Sequence, residues 1–122
     1  LGYKIIYCVG EPLSIKEKGI TDTLGYIQEQ FNGIDLDYEN LIVAYEPVWA
    51  IGTGKVASVE DIATIHRKLK KKFTQPLLYG GSVKPANISD ILDIENVDGT
   101  LIGSASWDVE EFKKMIEITS NK

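Results

Sequence analysis

The stretch VAYEPVWAIGTGK, residues 43–55, determines how the rest of the chain is interpreted. It begins as an apolar strand, reaches a single carboxylate at Glu46, and continues through Pro47 into a turn that contains Gly52 and Gly54. Proline stiffens the start of such a loop, and glycine permits positive φ angles and close approach of the backbone to a ligand. A carboxylate at the end of a strand, followed by a glycine loop, suits a general base beneath a lid. The same residue types also suit an ordinary strand-to-helix connection with an exposed glutamate.

Short apolar runs alternate with amphipathic helical patterns on both sides of this stretch. The apolar run just before Glu46 is nearly continuous, which is typical of a strand buried on both faces in a parallel sheet. Strands that alternate with helices at about 30 residues per unit predict an α/β domain with right-handed crossovers. We expect strands at 4–9, 40–45, 76–79 and within 97–102, and helices at about 21–31, 58–73, 86–92 and from 108 onward.

Several apolar residues are expected to be buried. The strand at 4–9 is interpreted as buried, with Cys8 as a small buried hydrophobe, and Trp107 is interpreted as a packing residue. Ser58 and Asp61 resemble a capping box at the start of their helix. The expected buried helix faces comprise Ile62, Ile65, Leu69 and Phe73 in one helix and Val109, Phe112, Met115 and Ile116 in the last.

Length and charge exclude several classes of protein. The chain has 122 residues and a net charge of −5, which argues against nucleic acid and anionic membranes as partners. Its single cysteine cannot form an internal disulfide and fits a reducing cytoplasm. No apolar run approaches a membrane span. The only methionine is Met115, so the opening at Leu1 without an initiator predicts a fragment.

Glycine turns follow the third and fourth predicted strands. Gly80-Gly81-Ser82 and Gly103-Ser104 come directly after these strands, and Glu11 follows the first. Ligands bind at this edge of parallel α/β sheets, and turns of this kind present backbone N–H donors. The pattern predicts a phosphate site, with turns that bind no ligand as the alternative.

Residues 44–54, AYEPVWAIGTG, closely resemble the signature of the triosephosphate isomerase family, and the resemblance extends over essentially the whole chain. It implies strands five to eight of a (β/α)8 TIM barrel, with residues 1–122 as the C-terminal half of a single domain; a complete barrel takes roughly 250 residues. A glutamate base and lid closure are known features of this family. By the resemblance, Glu46 moves a proton between the two carbons flanking an enediolate.

The resemblance also implies roles for the loops. The lid would run from Pro47 to Val56. Its tryptophan would meet Glu11 when the lid is open, and Tyr79 and Ser82 would hydrogen-bond the closed lid. Ser104 stands where many members have a second glycine, so a positive φ there would be strained. The implied phosphate-binding residues are Gly52, Ser82, Gly103 and Ser104, and the implied lid and lid-contact residues are Pro47, Val48, Trp49, Ala50, Ile51, Thr53, Gly54, Glu11 and Tyr79.

The family interconverts dihydroxyacetone phosphate and glyceraldehyde 3-phosphate without a cofactor, in cytoplasmic glycolysis and gluconeogenesis, as a homodimer. The catalytic lysine and histidine of the family would lie in the half that this chain does not contain. We therefore expect no appreciable activity from the chain alone, with open strand edges at 4–9 and 97–102. The apolar residues expected to lack packing partners are Ile6, Val43, Leu78 and Leu101.

Two other functions are compatible with the phosphate turns. One is a phosphate-binding barrel enzyme of the histidine- or tryptophan-biosynthesis type, and the other is a non-catalytic half-barrel that binds phosphate. His66, the only histidine, is interpreted as a helix-surface or packing residue. No cysteine and histidine residues have metal-ligand spacing, so no metal is predicted. The acidic connector at 35–39 is interpreted as solvated.

Overall fold

A computed structural model describes residues 2–122 and shows one parallel sheet with its strands in chain order. The strands are β1 (Ile5–Val9), β2 (Leu41–Tyr45), β3 (Leu77–Tyr79) and β4 (Gly99–Thr100). The helices are α1 (Leu13–Lys16), α2 (Ile20–Glu29), α3 (Val59–Leu69), α4 (Ile88–Leu92) and α5 (Val109–Ser120), with 3-10 turns at Val48–Ala50 and Ser104–Trp107. The predicted α/β class and the parallel βα units are confirmed.

The register of the sheet separates two faces. Val9 pairs with Tyr45 and Tyr45 pairs with Tyr79, so these three side chains lie on the same face, and all are buried. That face joins α2 and α3 in one apolar core, to which Ile27 and Ile62 contribute. The sheet therefore has one face covered by helices, and the opposite face carries the alternate residues.

The predicted start of α3 is confirmed by its cap. The Ser58 hydroxyl accepts a hydrogen bond of 3.1 Å from the Asp61 N–H, which satisfies one of the free donors at the helix start. Asp108 caps α5 in the same way through the Glu111 N–H, also at 3.1 Å. These caps fix where each helix leaves the loop before it. Within residues 2–122, no helix has both the length and the apolarity needed to cross a bilayer.

The prediction that β1 is buried is wrong. Ile6 is 49% exposed and Cys8 is exposed, because both lie on the face of the sheet without helices. Val43 was expected to lack packing partners and is instead fully buried among the helices, since it lies on the covered face. Leu78 and Leu101 are half-buried. An apolar run shows that a strand belongs in a sheet, but it does not show which faces of that sheet are covered.

The predicted buried face of α5 is only partly correct. Met115 is buried, whereas Val109 is 76% exposed and Ile116 is 52% exposed, and Trp107 is 84% exposed and packs against little. The main neighbours of α5 are α4 and the turn at Ser104–Trp107, so one side of the helix has no covering element among the described residues. The short helix α1 was not predicted, because residues 14–18 were interpreted as a charged stretch.

Candidate active site

The loops that follow the strands enclose a cleft of about 560 Å³ at the carboxyl edge of the sheet. Glu46 enters it from the end of β2, and Gly52 enters it from the loop beyond. The loops after β3 and β4 form the opposite wall and contribute Ser82, Gly103 and Ser104. The predicted base and the four predicted phosphate-binding residues therefore line one cavity.

Glu46 is held in place by close backbone contacts on two sides. Its N–H donates a hydrogen bond of 2.7 Å to the Val9 carbonyl. A Cβ on Gly10 would lie 1.7 Å from the Glu46 carbonyl oxygen, and a Cβ on Gly80 would lie 2.6 Å from Glu46 Cγ. Both distances are impossible for real atoms, so glycine is required at these positions for Glu46 to sit where it does.

Cys8 lies beside Glu46 on the open face of the sheet. Burial raises the pKa of the Cys8 thiol, and the negative charge of Glu46 and a hydrogen bond to it raise it further. A raised pKa keeps the thiol protonated at neutral pH, so Cys8 carries no charge beside Glu46.

The segment 47–56 leaves the sheet as a largely exposed loop. After the turn at Val48–Ala50, residues 51–56 are all exposed, and Gly52 and Gly54 have φ angles of 67° and 77°. The Thr53 hydroxyl donates to the Trp49 carbonyl at 2.8 Å and accepts from the Lys55 N–H at 3.2 Å. The left-handed glycines allow the loop to turn back over the cleft, as a lid requires.

The first end of this loop is tied to a buried carboxylate. Glu11 is 1% exposed, and its Oε1 accepts hydrogen bonds of 2.9 Å from Trp49 Nε1 and from the Tyr45 hydroxyl. Lys16 Nζ lies 4.7 Å from the centre of the Trp49 ring. Burial raises the pKa of Tyr45, and the charge of Glu11 adds to this effect. The contact between Glu11 and Trp49, which the resemblance implied for an open lid, is present in this conformation of the loop.

The loop after β3 contacts the lid through one of its two predicted partners. The Ser82 hydroxyl donates to the Ala50 carbonyl at 2.5 Å, and Asn87 Nδ2 donates to the Ser82 carbonyl at 3.0 Å. The Tyr79 hydroxyl is buried and has no hydrogen-bond partner among residues 2–122. Its position leaves no room for a side chain at Gly81, where a Cβ would lie 2.1 Å from the hydroxyl oxygen.

The predicted phosphate-binding residues offer backbone donors to the cleft. Within the described part of the chain, the N–H groups of Gly52, Ser82, Gly103 and Ser104 make no hydrogen bond. Ser104 begins a 3-10 turn and does not have a positive φ, so the strain considered for serine there does not arise. Unpaired N–H groups that line a concave surface are suited to an anion.

Lys84 also lines this cleft, and the sequence reasoning missed it. Its side chain is exposed, and its N–H donates to Asn87 Oδ1 at 2.7 Å, just after the glycine turn that follows β3. The signal was available, because Lys84 is the first basic residue after the Gly80-Gly81-Ser82 turn. The glycine turn predicted backbone N–H donors for the phosphate and gave no reason to look for a lysine side chain. No group of three or more His, Cys, Asp or Glu side chains in residues 2–122 is arranged to hold a metal ion.

Comparison with known proteins identifies chains of similar sequence and fold. The family model described as triosephosphate isomerase matches residues 1–119. The triosephosphate isomerase of Sulfurimonas denitrificans is 58% identical over 121 residues, which are 99% of this chain and 50% of that protein. That of Helicobacter pylori strain G27 is 56% identical over 116 residues, which are 93% of this chain and again 50% of the relative. The chain thus spans about half the length of the curated relatives it matches.

A solved structure shows the same relationship in three dimensions. The crystal structure of triosephosphate isomerase from Bartonella henselae superimposes with a TM-score of 0.76 at 35% sequence identity. The match covers 94% of this chain and 50% of that one. The four βα units therefore correspond to half of a TIM barrel.

Proposed function

Because the chain belongs to the triosephosphate isomerase family, we propose that it supplies the base, the lid and the phosphate site of a triose phosphate isomerase. In this proposal, residues 1–122 are the C-terminal half of one barrel domain. The complete barrel interconverts dihydroxyacetone phosphate and glyceraldehyde 3-phosphate. We further propose that it acts in the cytoplasm, as a homodimer, and without a cofactor.

One observation carries the proposal. The Glu46 carboxylate and the unpaired N–H groups of Gly52, Ser82, Gly103 and Ser104 line the same cleft. A triose phosphate has a reacting carbon pair at one end and a dianionic phosphate at the other. The cleft offers a carboxylate base for the carbons and uncharged donors for the phosphate.

The chemistry assigned to Glu46 is a proton transfer between neighbouring carbons. The carboxylate removes a proton from the hydroxyl-bearing carbon beside the carbonyl group, which forms an enediolate. The hydroxyl proton passes to the neighbouring oxygen, and the protonated Glu46 returns its proton to the adjacent carbon. Gly80 leaves space for the side chain, and the backbone bond to Val9 fixes its origin. The transfer needs no other group to accept the proton permanently, so the catalyst is regenerated in each turnover.

The loop 47–56 would close over the bound phosphate. Closure would bring the Gly52 N–H toward the anion and exclude water, which protects the enediolate from losing phosphate. The Trp49–Glu11 bond ties down the first end of the loop, so closure would exchange this bond for contacts with substrate.

The polarisation of the substrate carbonyl is not assigned to this chain. His66 is its only histidine and is fully buried within α3, away from the cleft. By the family resemblance, a lysine and a histidine from the other four βα units would stabilise the developing oxyanion. We therefore propose that residues 1–122 are inactive without those units.

The experiment uses what we call the joined protein: the half of the Sulfurimonas denitrificans relative that this chain does not cover, placed ahead of residues 1–122. We expect the joined protein to interconvert the two triose phosphates in a coupled spectrophotometric assay. The 122-residue chain and the other half, each assayed alone, should show no appreciable turnover.

Two outcomes would overturn the proposal. Strong activity from the 122-residue chain alone would show that the complete catalytic set lies within it. A joined protein that folds, as judged by a cooperative unfolding transition, but has no activity would show that these residues do not supply the assigned base and anion site.

A further inference from the structure

We propose that His66 is a positioning residue for the loop 47–56: its imidazole ring holds the rings of Tyr45 and Tyr79, and the Tyr45 hydroxyl shares the Glu11 carboxylate with Trp49 of that loop. The relevance of this arrangement to catalysis rests on the proposed function. The arrangement itself is tested without turnover.

The hydrogen bond of the buried His66 ring determines which of its nitrogens carries the hydrogen. His66 has no exposed surface, and its Nδ1 lies 3.0 Å from the Asn96 carbonyl oxygen. A carbonyl can only accept a hydrogen bond, so Nδ1 carries the hydrogen and Nε2 is the bare nitrogen of the neutral ring. Nε2 is buried and has no partner among residues 2–122. A phenyl ring would avoid this unpaired atom, so the imidazole is retained here at a cost in desolvation.

A left-handed backbone turn at Asn96 anchors the His66 ring. Asn96 has a φ of 72° and is the only non-glycine residue of the described chain in the left-handed region. Asparagine tolerates this conformation better than most residues. The left-handed turn carries the Asn96 carbonyl that receives His66 Nδ1. The orientation of the imidazole is thus fixed by backbone rather than by a mobile side chain.

The His66 ring packs against the rings of two tyrosines. The His66 ring lies 5.8 Å from the Tyr45 ring in an edge-on arrangement and 6.3 Å from the Tyr79 ring, and the two tyrosine rings are 6.1 Å apart. All three distances fall within the range of favourable aromatic pairs. The three rings therefore form one packed group, and none can move without displacing another.

The Tyr45 hydroxyl links this group of rings to the loop. At the first end of the loop, the Tyr45 hydroxyl bonds the same Glu11 oxygen that accepts from Trp49 Nε1. The Tyr79 ring packs against both His66 and Tyr45, and its hydroxyl is buried without a hydrogen-bond partner among residues 2–122. His66 therefore contacts the residue that reaches the first end of the loop and sets the position of that end.

The test reads the indole N–H resonance of Trp49 in the 15N-labelled joined protein, with the signal assigned by its loss in Trp49→Phe. His66→Asn keeps a donor for the Asn96 carbonyl but removes the ring, and His66→Phe keeps the ring but removes the donor. Met115→Ala truncates a buried side chain on α5, whose main neighbours are α4 and the turn at Ser104–Trp107. This variant controls for general loss of stability.

We expect His66→Asn to shift the Trp49 resonance, because Tyr45 can then leave Glu11. Met115→Ala should lower stability and leave the resonance near its original position, and His66→Phe, which keeps a ring but loses the bond to Asn96, should shift it less than His66→Asn. An unshifted signal in His66→Asn would overturn the proposal, and so would an equal shift in Met115→Ala. A shifted signal in His66→Asn with an unchanged kcat would support the positioning of the loop. It would count against the proposed function, in which the loop takes part in turnover.

A measurement on the unmodified protein covers the case in which the variants do not fold. Packing by His66 predicts slow flipping of the Tyr45 and Tyr79 rings, and 15N shifts of the imidazole should show the hydrogen on Nδ1. Fast-flipping tyrosine rings or a hydrogen on Nε2 would contradict the proposal.

Discussion

At the scale of single residues, Glu46 is positioned by the absence of side chains as much as by hydrogen bonds. Gly10 and Gly80 approach it from the strands on either side, and neither position has room for a Cβ. The catalytic role proposed for Glu46 depends on an accurate carboxylate position, because small displacements of a base from its substrate reduce the rate strongly. The glycines are therefore part of the proposed site although they have no functional groups.

Gly10→Ala should disrupt both stability and activity. The added Cβ would meet the Glu46 carbonyl oxygen at 1.7 Å, so the end of β2 must shift. Forced overpacking of this kind costs on the order of 3 kcal/mol. We expect a lower free energy of unfolding and a lower kcat in the joined protein.

Gly25→Ala is the matched control: this helical site in α2 is open, and alanine there should stabilise by about 1 kcal/mol. Equal behaviour of the two variants would contradict the steric account.

His66 should make stability depend on pH in a defined window. Burial lowers the pKa of His66 to about 4 from its ordinary 6.5. The unfolded chain therefore binds the proton more readily than the folded chain, and the stabilising contribution is complete above pH 6.5 and lost as the pH falls toward 4. The difference corresponds to about 3 kcal/mol.

The measurement is the free energy of unfolding from pH 7 to pH 4 in the unmodified protein and in His66→Phe. The gap between the two should move in favour of the variant as the pH falls. The charged neighbours Asp98 and Lys70 and the carboxylates elsewhere are present in both proteins, so their effects cancel in the comparison. Parallel curves would show that His66 does not titrate in this window.

At the scale of elements, the loops after β2, β3 and β4 bring unpaired N–H groups to one cleft. Residues 51–56 are exposed, while the turn that precedes them is attached through Trp49 to Glu11 and through Ala50 to Ser82. A loop anchored at its base and free at its tip can close as a rigid unit. The phosphate site is therefore expected to be formed largely by backbone, with the lid completing it.

A structure of the joined protein with inorganic phosphate should place the anion within hydrogen-bonding reach of N–H groups from the loops after β3 and β4. Lys84→Gln separates backbone from side-chain binding, because Lys84 also lines the cleft. One exposed ammonium contributes little, so this variant should bind phosphate within about tenfold of the unmodified protein. An anion held elsewhere by side chains alone, or loss of binding in Lys84→Gln, would contradict a backbone site.

The sequence predicted these elements well where the signal was local. Helical spacing and a capping serine located α3, and glycine turns located the loops that line the cleft. The exposed residues Cys8, Trp107 and Val109 were predicted wrongly, because periodicity identifies an apolar face but does not reveal whether another element covers it. The setting of His66 depends on the Asn96 carbonyl, which is 30 residues away along the chain, and no local pattern indicates such a contact.

At the scale of the whole molecule, the sheet has the form of half a barrel. Within residues 2–122, β1 and β4 each pair with a single strand, and Ile6 remains half exposed on the face without helices. The exposed residues of α5 lie at the β4 end of the same sheet. These features fit the proposal that four further βα units cover the open face and the two strand edges. The base and the phosphate site would then face groups supplied by the other half.

The central claim is that Glu46 is the base of this barrel, and the most direct test compares the joined protein with its Glu46→Gln variant. Glutamine keeps the size and the packing against Gly80 but cannot take a proton. We expect kcat to fall on the order of a thousandfold or more, while KM and inhibition by inorganic phosphate change much less, since the anion site is untouched. A variant that binds phosphate normally and retains near-normal kcat would contradict the account.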